Sequence, residues 1–124
     1  MIIKRFEDLD VYQQALDIQR EVFHVTKSFP MEERFSLTDQ IRRSSRSLGA
    51  NIAEAWHKRR YPAHFASKLT DADGESAETR HWLQTSLDSG YLTDEQFERL
   101  TEGCLGVGAK LGNMIQNADK WVPR

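Results

Sequence analysis

Residues 93–121 read TDEQFERLTEGCLGVGAKLGNMIQNADKW, and this stretch decides the fold class. Its residues Phe97, Leu100, Cys104, Val107, Leu111, Met114, Ala118 and Trp121 recur in alternating steps of three and four. That spacing winds all eight onto one side of an α-helix and fits no strand, where residues on one face lie two apart. Thr93-Asp94-Glu95-Gln96 is a capping box and gives the helix a defined start. Gly103, Gly106, Gly108 and Gly112 interrupt it, each costing about 1 kcal/mol relative to alanine. Packing against neighbours therefore has to stabilise this helix, and its last turns are expected to fray.

The same period runs through the rest of the chain. Val11, Ala15, Ile18, Val22, Val25 and Phe29 form the seam of a first helix, with Asp8 as the expected N-cap and Pro30 as the stop. Leu9, Tyr12, Leu16 and Phe23 widen its apolar surface. A second helix opens at Ser36, with Asp39 imitating a capping box, and its seam is Leu37, Ile41, Ser45, Leu48, Ile52 and Ala55. Ser44, Ser47, Gly49, Ala50 and Ala53 beside that seam invite close backbone approach. Pro62 suits the first position of a third helix, whose seam is Phe65, Leu69, Ala72, Ser76, Thr79, Leu83 and Ser86. Gly74 there marks a close contact or a kink, and Gly90 ends the helix.

The pattern predicts an all-α chain, with residues 1–124 as one antiparallel up-down-up-down four-helix bundle. The second apolar face of the first helix, with Tyr12, Phe23, Trp56 and Trp82 read as exposed, calls for cover, which a homo-oligomer supplies.

A length of 124 residues suits one domain with a real core. No apolar run approaches the roughly 20 residues needed to span a bilayer, and Lys4-Arg5 follow too early for a secretory signal. With Cys104 as the sole cysteine, no intrachain disulfide can form, and a cytoplasmic location is expected. The net charge of −2 gives no global case for nucleic acid. The charge is nevertheless segregated. Arg34, Arg42, Arg43, Arg46, Lys58, Arg59 and Arg60 crowd residues 34–60, while residues 71–102 are strongly acidic. Two helices that neutralise each other, or a stripe that grips phosphate, would both use this pattern.

Glu-x-x-His occurs as Glu21…His24, Glu54…His57 and Glu78…His81. Such pairs build di-metal sites in some bundles. Here Glu54 and Glu78 are placed beside the core and the histidines further out, so ligands do not converge and neither metal nor cofactor is expected. Ser44, Ser45 and Ser47 have no base to activate them, and Cys104 on a seam reads as a small hydrophobe. No catalytic residues, and no enzyme, are expected. Trp56, Tyr61, His64 and Phe65 by the basic connection suit helix packing or base stacking.

Gln40-Ile41-Arg42-Arg43-Ser44-Ser45 followed by Asn51-Ile52-Ala53-Glu54 resembles the 23S rRNA-intervening sequence proteins, bacterial four-helix bundles of which some are encoded inside ribosomal RNA genes. Leu9-Asp10-Val11-Tyr12-Gln13, Phe29-Pro30, Ala72 with Gly74, and Gly90-Tyr91-Leu92 extend the likeness in order. The resemblance implies a ring-like homopentamer with Arg42, Arg43, Asn51, Glu54 and Glu78 in polar contacts within or between subunits. A related branch, the accessory proteins of diversity-generating retroelements, is strongly basic and binds nucleic acid. Ala55 stands where the family's glycine is usual, Trp56-His57 are bulkier, and Glu75 replaces a serine.

Two functions compete on this reading, with a di-metal carboxylate bundle as a remote third kept only for the Glu-x-x-His pairs. One is a non-enzymatic assembly module that contacts itself and a further protein. The other is a nucleic-acid accessory protein using Arg42, Arg43, Arg46, Lys58, Arg59 and Arg60.

Overall fold

The seams drawn from periodicity are the buried lines of the molecule. In the computed structural model, which describes residues 2–123, helices α1 (Asp10–Thr26), α2 (Leu37–His57), α3 (Pro62–Asp88) and α4 (Asp94–Gln116) carry the chain, and no strand occurs among the described residues. Short 3-10 turns lie at Phe6–Asp8, Met31–Glu33 and Ala118–Trp121. Every seam residue assigned to the first three helices is buried, as are Leu100, Cys104, Val107, Leu111, Met114 and Ala118 of the fourth. Phe97 and Trp121, at the ends of that last seam, are half-buried. All four helices contribute to one hydrophobic cluster.

Contacts between neighbouring helices run in opposite numerical senses. Arg43 of α2 meets Glu75 and Glu78 of α3, whereas Glu54 further along α2 meets Lys68 earlier in α3. Ion pairs join Glu21 to Arg99 and Asp10 to Lys110 across α1 and α4. Of the small residues expected beside the α2 seam, Ser44 and Gly49 are buried, Ser47 and Ala53 half-buried and Ala50 exposed. Thr79 donates to Ser44 at 2.9 Å, and Ser44 in turn donates to its own helix at the Ile41 carbonyl. Ser76 donates to the Cys104 carbonyl of α4 at 3.2 Å, so these buried hydroxyls have partners.

The helix ends differ from expectation in two places. Leu9, rather than Asp8, occupies the α1 N-cap, because Asp8 closes a preceding 3-10 turn and its carboxylate lies 3.6 Å from the Arg5 guanidinium. Ser36 does stand at the α2 N-cap, yet its hydroxyl donates to the Glu33 carboxylate at 2.6 Å and caps nothing. Donation to a charged acceptor one turn back turns the hydroxyl oxygen away from the helix amides, from which a capping oxygen would have to accept. Pro62 begins α3, and Thr93 and Gln96 form the reciprocal capping box. Gly90 carries φ +79°, the left-handed conformation that closes α3.

Two aromatics read as exposed find cover inside the chain. Trp56 is 5% exposed and meets Trp121 edge-on at 6.4 Å, because the C-terminal turn folds back over the end of α2. Tyr12 is half-buried against Phe6 at 5.0 Å. Trp82 is half-buried as well, while Phe23 remains 40% exposed.

Candidate functional site

The basic start of α2 suits either pairing with acids or gripping phosphate, and only part of it meets acids. Arg43 is bound by Glu78 and lies 3.5 Å from Glu75, so one guanidinium bridges two carboxylates of α3. Glu78 also accepts a 3.4 Å hydrogen bond from the Trp82 indole. These residues are a third to a half exposed or less, and pairs of that kind contribute about 0–1 kcal/mol.

Arg42 and Arg46 take a different course. Arg42 Nε donates to Thr26 Oγ1 at 2.8 Å, and its guanidinium lies over the Phe23 ring at 4.7 Å. Arg46 lies over the same ring at 5.8 Å, and so does Lys27 at 5.0 Å. None of the ion pairs among the described residues involves Lys27, Arg34, Arg42 or Arg46. At 4.7 and 5.8 Å from one centroid, Arg42 and Arg46 are no more than about 10.5 Å apart. Two such charges repel by at least roughly 0.4 kcal/mol in water and about 1.6 at an effective dielectric near 20. Each cation–ring contact returns about 0.5–1 kcal/mol at an exposed site. The ring thus gathers cations that no ion pair among the described residues neutralises.

Beside them opens a groove of about 390 Å³ lined by Arg34, Thr38, Asp39, Arg42, Arg43 and Arg46. Asp39 is its single carboxylate. A second cavity of about 310 Å³ shares Arg34, Thr38 and Arg42 and continues toward Phe29 and Met31.

The other polar candidates do not gather here. Asn51 donates to the Ser47 carbonyl at 2.9 Å and the Ser47 hydroxyl at 3.2 Å, a bond within its own helix. Glu54, expected beside the core, is instead 57% exposed at its side chain and pairs with Lys68 at 2.9 Å. That hydrogen bond is the main reason its carboxyl is held below the usual range. Lys68 also reaches Asp71 at 3.5 Å. The sequence reading missed Lys68, since a lone lysine in an acidic helix carries no signal of its cross-helix partner.

Lys58, Arg59 and Arg60 form a separate group. Lys58 follows Arg46 by twelve residues, roughly 18 Å along a helix axis. Arg59 stacks on Trp56 at 3.7 Å and donates to its carbonyl at 2.8 Å, while Lys58 and Arg60 are exposed. The six bases therefore do not make one continuous site.

The Glu-x-x-His pairs are split in the same way. Glu21, Glu54 and Glu78 each hold a cation, from Arg99, Lys68 and Arg43, and His24, His57 and His81 are exposed. No group of three or more metal-type ligands converges among the described residues. Burial pushes the Cys104 thiol up to about 11, which keeps it protonated and unreactive at neutral pH.

A second surface drew no attention in the sequence. Leu105, Gly106, Ala109, Gly112, Asn113 and Gln116 are all exposed and share the outer face of α4. From Leu105 to Gln116 this face carries no charge, although it points away from the core. Glycine usually opens room for a neighbour, as Gly103 does for Ile18 and Gly108 for Asp73. A Cβ on Gly106 or Gly112 would meet nothing within 4 Å. The same holds for Gly74, so it admits no close contact of the kind expected, and α3 runs through it without a break. Along one edge of the α4 face lies a mainly apolar cavity of about 410 Å³, bordered by Leu9, Val11, Ala109, Asn113, Met114 and Trp121 together with the ion-paired Asp10 and Lys110.

No helix among the described residues is long and apolar enough to cross a membrane. Residues 7–113 match the family model of the 23S rRNA-intervening sequence protein. The solved structure of a protein with unknown function from the S23 ribosomal protein family of Bacteroides thetaiotaomicron is similar at a TM-score of 0.77 and 31% identity, over 86% of this chain and 98% of that one. No curated protein matches. The family match takes in all of α1, α2 and α3 and most of α4, and the chain belongs to the 23S rRNA-intervening sequence protein family.

Proposed function

We propose that the chain is a non-enzymatic assembly module, an antiparallel up-down-up-down bundle that associates with copies of itself and presents the resulting surface to a protein partner. The observation that carries this reading is the uncharged outer face of α4, with Gly106 and Gly112 open to solvent. A helix face turned to water is normally polar and charged. Each glycine costs the isolated helix about 1 kcal/mol and relieves no contact within the chain. Both features make sense where a second backbone lies close against the face. Ala109 and Asn113 join it to the neighbouring apolar cavity, whose Leu9, Met114 and Trp121 offer a socket to the same copy. The family resemblance favours five copies.

The test is solution mass by light scattering at low and moderate salt. The expected result is a stable multiple of the 14.4 kDa chain at both, with the pentamer as the favoured size. A monomer under both conditions removes the reading.

A further inference from the structure

The cations around Phe23 are left without a function by an assembly that uses α4. From their arrangement we propose a phosphate-binding site: the groove formed by Arg34, Arg42 and Arg46, backed by Lys27, takes a multiply charged phosphate group. Its lining is basic and polar, with Thr38 as a hydroxyl donor. Arg42 is positioned by its bond to Thr26, and Phe23 supports Arg42 and Arg46 from beneath. Guanidinium groups held in place lose little freedom when they bind, and their planar forks match phosphate oxygens. Arg43 contributes less charge, because Glu75 and Glu78 already hold it.

The sign and density of charge select the ligand. Asp39 at the rim opposes a single weak anion, whereas a diphosphate or a run of phosphodiesters carries enough charge to engage three cations together. A free polyphosphate ligand and a nucleic-acid backbone share this chemistry. Lys58, Arg59 and Arg60 lie too far along α2 to belong to the same site.

Inorganic pyrophosphate and a short single-stranded RNA are the two probes, each titrated calorimetrically at low salt against the full chain. Saturable binding is expected for at least one, weakened about tenfold or more by Arg46→Gln, which removes one charge-assisted contact. Arg46 makes no hydrogen bond within the chain among the described residues, so that variant keeps the fold. Arg42→Lys preserves charge but loses the fork, and is expected to weaken binding as well. Lys58→Gln is expected to change neither.

Binding of pyrophosphate alone identifies a free phosphate ligand. RNA binding whose salt slope falls by about 0.7 for each arginine removed identifies a polynucleotide backbone. The proposal is overturned if neither probe binds, or if Arg46→Gln leaves binding unchanged. It is also overturned if Lys58→Gln abolishes binding while Arg46→Gln does not.

Discussion

The interface between α2 and α3 and the outer face of α4 use small residues to opposite ends. Where α3 packs on α2 and α4, Ser44, Ala72, Ser76 and Thr79 are at most 2% exposed, and the three hydroxyls among them are bonded across or along the helices. Their size is explained by the chain's own packing. On α4, Gly106, Ala109 and Gly112 are equally small but lie in the open. Side-chain size alone therefore says little. What matters is whether a larger side chain would collide with something in the same chain.

The largest difference is expected inside. Leu69→Ala, at a fully buried position of α3, should lower stability by about 2–5 kcal/mol in denaturant unfolding. Ser44→Leu should cost about 1–3 kcal/mol by overpacking the α2–α3 contact. Were it tolerated without loss, that contact would be looser than the hydrogen-bonded pair indicates. Gly106→Ala and Gly112→Ala probe the contrasting surface. Within a single chain each should stabilise by about 0.5–1 kcal/mol, since the new methyl meets nothing. Against a close helix neighbour the sign reverses, and assembly weakens while helicity is kept. Circular dichroism and solution mass, measured together, separate the two effects. The smallest change belongs to the rim of α1 and α4, where Lys110→Gln removes an exposed ion pair to Asp10 and should cost at most about 1 kcal/mol.

Cys104 adds a pH dependence to the interior. Its folded pKa of about 11 lies above the ordinary value of 9.0, so folding favours the protonated thiol. That contribution is whole below pH 9 and is lost as pH rises toward 11. Alkylation of the native protein should stay slow across neutral pH and quicken on unfolding. Rapid labelling at neutral pH would show that the thiol is not buried.

The helices were readable in the sequence because burial imposes a period on each of them. Seams from Val11 to Phe29 and from Phe65 to Ser86 follow from that alone. Caps were harder, since Asp8 and Ser36 each have a competing partner one turn away that only folding reveals. The site was readable in part. Arg43 and Glu78 were among the residues expected in polar contacts and meet across α2 and α3, but Lys68 with Glu54 depends on how two helices align. The cluster on Phe23 joins Lys27 of the turn after α1 to Arg42 and Arg46 of α2, and no local spacing brings those together. Trp56 misled for a similar reason, because its cover comes from Trp121 at the far end of the chain. The α4 face was hidden by its own glycines, which read as a weakness of the helix until their surroundings were seen.

Solution mass of the Gly106→Gln, Gly112→Gln double variant, beside that of the unaltered chain, tests the central claim most directly. Glutamine favours the helix over glycine, and at both exposed positions a Cβ meets nothing within 4 Å, so the variant should fold. The account predicts a multimer for the unaltered chain and a smaller species of undiminished helicity for the variant. A variant that assembles as fully as the unaltered chain would contradict it.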